Sequence, residues 1–164
     1  MIPEIKKILY ATDLSDSSRT TLSWAMALAR KHEARLLMVN VIEEIGSASP
    51  SLQFYLTENE WDDLKHRINS DAIDIMKEQL NLFCDTVKAE EPDCPYIADD
   101  IVVVRGNPAE KIVATAGENQ CDIIVMGAIG AGGLVGTIMG STARRVLRKS
   151  QIPVFLVPRV EQPQ

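Results

Sequence analysis

The sequence predicts an α/β domain built on a single open, five-stranded parallel sheet with helices on both faces. Three observations lead there. Five short apolar runs rich in Val and Ile recur along the chain, and four stretches of helical periodicity stand between them. Alternation of this kind makes βαβ units with right-handed crossovers, and a chain that starts in the middle of its sheet has the strand order 3-2-1-4-5. At 164 residues the chain is long enough for one domain with its own core, expected over residues 1–160 with 161–164 as a tail.

Lys7-Ile8-Leu9-Tyr10-Ala11-Thr12 reads as the first strand, ended by the turn and capping residues Asp13-Leu14-Ser15-Asp16. Leu22, Ala25, Met26 and Ala29 recur at helical steps and predict an amphipathic helix up to about Lys31. Arg35-Leu36-Leu37-Met38-Val39-Asn40-Val41 is a second buried strand. Residues 43–57 combine Gly, Ser and Pro with no period, which predicts a mobile connection. Thr57-Glu58-Asn59-Glu60 is a capping-box pattern that opens one long second helix. Trp61, Leu64, Ile68, Ala72, Ile75, Leu80, Phe83 and Val87 lie mainly at helical spacing on it, with a charged face toward solvent.

Asp100-Ile101-Val102-Val103-Val104 is the third strand, and Gly106-Asn107-Pro108 turns into a helix over 109–119 with Pro at its first position. Cys121-Asp122-Ile123-Ile124-Val125-Met126 is the fourth strand. Arg144-Arg145-Val146-Leu147 belongs to the fourth helix, and Ile152-Pro153-Val154-Phe155-Leu156-Val157 is the fifth strand.

With 17 basic against 23 acidic residues and a net charge of -6, the chain lacks the cationic surplus of a nucleic-acid binder. The basic stretch Arg144, Arg145, Arg148, Lys149 and Arg159 reads as a solvated face. Three cysteines without CxxC spacing point to reduced thiols, and no secretory segment or bilayer-length apolar run is visible, so a cytoplasmic protein with no membrane partner is expected. His32 and His66 read as surface residues, and no Cys/His set has zinc spacing, so neither a catalytic nor a metal residue is assigned.

The chemistry concentrates between strand four and helix four, in Met126-Gly127-Ala128-Ile129-Gly130, nine residues, then Gly140-Ser141-Thr142-Ala143. Glycines let backbone amides approach an anion, and the amides that open a helix add the positive end of its dipole. Topology points to the same place, since an open sheet binds its ligand beyond the carboxyl ends of the strands where their order reverses. Here those are strands one and four, ending at Asp13 and Gly127. On the residues alone, Asp13 reads equally as a turn or cap, Val41 and Met126 as core, and Ser141 as a helix cap. Neither GxGxxG after strand one nor GxxxxGK before a Ser or Thr is present.

The spacing Gly127-x2-Gly130-x9-Gly140-Ser141 closely resembles the signature of the ATP-binding branch of the universal stress protein family. Residues 8–15, 104–109, 141–147 and 152–157 match the family as well, so the resemblance covers nearly the whole chain. It implies a Rossmann-like nucleotide-binding domain. Ala11, Thr12 and Asp13 would then stand at the nucleoside, with Asp13 on the ribose hydroxyls, while Val41 meets adenine through its backbone. Met126 and Gly127 flank the nucleoside, and Gly130, Gly140, Ser141 and Thr142 hold the phosphates.

The expected cofactor is ATP, with Mg2+ able to bridge its phosphates, and the expected partner is a second copy through strand five, 153–157. One departure stands out, because residues 131–139 contain no Lys or Arg where relatives often place a base. Phosphate charge then falls to amides, to Arg144 or Arg145, or to a divalent ion. Six glycines from 127 to 140 predict a loop that ligand binding orders. The function expected is a nucleotide-dependent stress-response module; a slow ATP-hydrolysing or nucleotidyl-transferring enzyme is the alternative, and a flavin carrier the third reading.

Overall fold

The computed structural model describes residues 1–43, 56–94, 98–131, 133–134 and 136–160. Apart from its ends, the connection expected over 43–57 lies outside the described residues, as does the 161–164 tail. The elements are β1 (Lys7–Ala11), α1 (Ser18–His32), β2 (Arg35–Ile42), α2 (Glu58–Glu90), β3 (Asp100–Arg105), α3 (Pro108–Glu118), β4 (Ile123–Gly127), α4 (Ser141–Lys149) and β5 (Val154–Val157). Every strand pairs in parallel, in the order β3-β2-β1-β4-β5. This is the architecture that the alternation predicts.

Successive side chains of a strand point to opposite faces, which divides the core in two. Ile8 and Tyr10 of β1 and Leu36 and Met38 of β2 pack with Leu22, Ala25 and Met26 of α1 and with Leu80, Cys84 and Val87 of α2. On the other face Leu9, Leu37, Val39, Ile124 and Met126 pack with Ile112 and Ala116 of α3 and with Ala143 and Val146 of α4. Two carboxylates pin the starts of the strands. Asp122 accepts from the amides of Lys6 (2.7 Å) and Lys7 (2.9 Å), and Asp99 accepts from that of Leu36 (2.6 Å).

Two helix starts follow from local capping chemistry, and at α1 the turn reading of Asp13 is the one that holds. Thr57 and Glu60 form the reciprocal capping box at the head of α2. Asn107 caps α3 by accepting from the Glu110 amide (3.2 Å), with Pro108 in the first turn, where its missing N–H costs nothing. At α1 the residue before the helix is Ser17, with no side-chain cap bond. Asp13, read as a turn or cap residue, accepts instead from the Ser15 amide (3.0 Å) in a local turn ahead of the helix.

Helix α2 departs from its predicted face. Trp61, Leu80, Cys84 and Val87 are its buried residues, while Ile68 and Ile75 are 45% and 56% exposed. Length explains this: 33 residues of helix extend for about 50 Å, whereas the strands have at most eight residues, or about 26 Å. A helix of that length cannot lie on the sheet throughout.

Candidate functional site

The site begins where β1 leaves the sheet. The Thr12 amide still donates to Val39 O (3.0 Å), and Asn40, buried on β2, donates its side-chain amide to Thr12 O (2.9 Å). The chain is thus clamped up to residue 12, and Asp13 is turned outward from a fixed point. Thr12 Oγ1 accepts from the Leu14 amide (3.1 Å), which holds Leu14 in a left-handed conformation at φ 56. The same hydroxyl donates to Ser18 Oγ (3.0 Å), Ser18 Oγ donates to Asp13 Oδ1 (3.4 Å), and Tyr10 donates its phenol to Ser18 O (2.7 Å). Burial pushes the Tyr10 phenol well above the usual tyrosine value, so it stays a neutral donor.

Asp13 spans the crevice. Oδ1 accepts from Ser15 and Ser18 on its own side, and Oδ2 accepts from the Ala131 amide (2.9 Å) on the glycine loop. Burial pushes the carboxyl up, but hydrogen bonds from Ser15 and the Ala131 amide outweigh it and hold the group below the ordinary aspartate value. It is therefore an ionised acceptor at neutral pH.

On the other side, the Gly140 amide donates to Ala128 O (2.7 Å) and brings the two ends of the loop together. A Cβ at Gly140 would stand 3.4 Å from Ala128 O and 3.6 Å from Ile129 Cα, so the backbone is close there. A Cβ at Gly130 would stand 2.7 Å from Asp13 Oδ2. Gly127 has only ordinary contacts, the nearest being Ile129 O at 3.5 Å. Gly140 is itself the residue before α4, with no side-chain cap bond, and Ser141 is the first helical residue. Ser141 is not a cap, and among the described residues no side chain caps the amides that open α4.

Between these walls lies a cavity of about 590 Å3. Ala11, Thr12 and Asp13 line one side, Val41 and Met126 line the sheet, and Gly127, Gly130, Gly140, Ser141 and Thr142 line the loop and helix start. The ten residues that the resemblance places at the nucleotide thus line one space, whereas Arg144 and Arg145 do not line it. His32 and His66 are exposed and do not line it. Sequence reasoning missed Ser18 and Asn40, which position Asp13, and also Pro108 and Ile112 of α3 and Glu43, which line the cavity. Ser18 looks like any serine at a helix start. Asn40 did carry a signal, as a lone amide in an apolar strand.

A space lined both by the backbone amides of a helix start and by an ionised acceptor can take a molecule that carries an anionic group and hydroxyls. Among the described residues no cluster of three or more His, Cys, Asp or Glu could hold a metal ion. No helix among them is long and apolar enough to cross a membrane.

Residues 4–158 match the family model described as the universal stress protein family. The chain belongs to that family. This universal stress protein is 31% identical over 166 residues to Universal stress protein MJ0577 of Methanocaldococcus jannaschii, covering 94% of this chain and 95% of that protein. It is 30% identical over 154 residues to a universal stress protein of Thermus aquaticus, covering 93% of this chain and 98% of that protein. The solved structure of MJ0577 superposes with a TM-score of 0.71 at 28% identity, covering 98% of this chain and all of that one. A universal stress protein solved in complex with cAMP shares the fold at a TM-score of 0.60 and 22% identity, covering 95% of this chain and 98% of that one.

Proposed function

We propose that this universal stress protein binds ATP in the cavity between β1 and β4 and acts as a nucleotide-dependent stress-response module, a cytoplasmic homodimer whose nucleotide-binding domain spans residues 1–160. One observation supports this reading above the rest. The ionised Asp13 carboxylate and the residues that open α4, Ser141 and Thr142, line one cavity. Asp13 binds the ribose hydroxyls beside Ala11 and Thr12, Val41 meets adenine through its backbone, and Met126 and Gly127 flank the nucleoside. Gly130, Gly140, Ser141 and Thr142 hold the phosphates through backbone amides and hydroxyls, and Mg2+ bound with the nucleotide would offset part of their charge.

Calorimetric titration with ATP and Mg2+ tests the reading. The wild-type protein binds with a Kd below about 1 mM, or about -4 kcal/mol. Asp13→Ala and Gly140→Val each weaken binding about tenfold or more, since each removes a charged acceptor or blocks close backbone approach. No binding by the wild-type protein at millimolar ATP overturns the reading.

A further inference from the structure

We infer that the polyphosphate tail leaves the main cavity past Ser141 and Thr142 and ends beside Arg145 in an adjoining groove, so that Arg145 sets this chain's preference for long anionic tails; the inference rests on the nucleotide reading above. The groove encloses about 400 Å3 and shares Glu43, Pro108, Ser141 and Thr142 with the main cavity. The two spaces therefore adjoin at the end where phosphates would lie.

Charge decides what the groove is for. The charged residues that line the main cavity are Asp13 and Glu43, both acidic, and residues 128–140 contain no lysine or arginine. Dipoles alone would have to hold several phosphate charges there. Arg145 is the cation that lines the groove, one helical turn beyond Ser141 and on the same side of α4. It is exposed, and among the described residues it takes part in no ion pair. Arg144 lines neither space, because a single residue step turns it about 100° around the helix.

The start of α3 offers little competition for the tail. Pro108 has no N–H, and the Glu110 amide already donates to Asn107. A guanidinium can donate two parallel hydrogen bonds to a terminal phosphate, where an ammonium gives a point charge. Glu43 lines the same groove and opposes a bare polyphosphate, so Mg2+ carried with the nucleotide would favour entry of the tail.

The experiment is calorimetry in Mg2+ with adenosine, AMP and ATP on the wild-type protein, Arg145→Ala and Arg145→Lys. The wild-type protein prefers ATP to AMP. Arg145→Ala loses about ten- to a hundredfold in ATP affinity with adenosine binding unchanged, and Arg145→Lys recovers part of the loss. An unchanged ATP affinity in Arg145→Ala, or an equal loss for adenosine and ATP, overturns the inference while the nucleotide site stands. If the wild-type protein binds neither adenosine nor ATP, the nucleotide reading itself fails and this inference falls with it.

Discussion

A methyl group at Gly130 would stand 2.7 Å from the Asp13 oxygen that holds the Ala131 amide, so the two residues form one device. Gly130→Ala should swing the carboxylate off the loop and weaken ATP binding at least about tenfold, with little change in melting temperature. Gly127→Ala, with no contact nearer than 3.5 Å, should keep its affinity; calorimetry and thermal melts on both variants check the contrast. Asp13 also predicts a pH dependence. Its folded-state value lies below the ordinary aspartate value, so its stabilisation is present above that value and is lost as pH falls through the folded one. In denaturation across a pH series, the stability gap between wild-type and Asp13→Asn should be constant near neutrality and close below about pH 3.8. Asp13 alone read equally as a turn or cap residue, and it was the glycine and serine spacing of the loop together with the family resemblance that singled out Asp13, Gly130 and Gly140. The choice between Arg144 and Arg145 was not legible, since it depends on how α4 is rotated against α3, which packing sets.

Helix α2 separates what a periodic pattern reveals from what it conceals. The Thr57–Glu60 box marked its start and the run of apolar residues its length, yet that run mixes two faces. Leu80 is fully buried in the core, whereas Ile75, on the same apparent stripe, is 56% exposed. Leu80→Ala should therefore cost about 2–5 kcal/mol in chemical denaturation, and Ile75→Ala no more than about 0.5 kcal/mol. A large loss in Ile75→Ala would mean that this face is covered. Only the sheet decides which residues of so long a helix are buried, and the sheet spans about half its length. The glycine loop shows the complementary case: its spacing was visible, but the Gly140 amide to Ala128 carbonyl bond that closes it at 2.7 Å is a tertiary fact.

For the whole molecule, alternation of strand and helix together with right-handed crossovers left few topologies open, which is why the order 3-2-1-4-5 could be read before any coordinates. The crevice between β1 and β4 follows from that order, because the chain leaves the two strands for helices on opposite faces of the sheet. The sheet also ends at β5, whose half-buried Val154, Phe155 and Leu156 pair on one side with β4, and Phe155 packs against Trp24 with ring centres 5.9 Å apart and planes tilted by 41°. A second copy pairing at this edge should give a dimer mass in light scattering, and Phe155→Lys should shift it to the monomer. A monomer in the wild-type protein at high concentration would contradict that prediction. The central claim, that one cavity holds a nucleotide between Asp13 and the amides at the head of α4, is tested most directly by backbone amide NMR during an ATP titration. The account predicts the largest shifts at Asp13, Gly130, Ala131, Gly140, Ser141 and Thr142. Shifts confined to other surfaces, or none at saturating ATP, would contradict it.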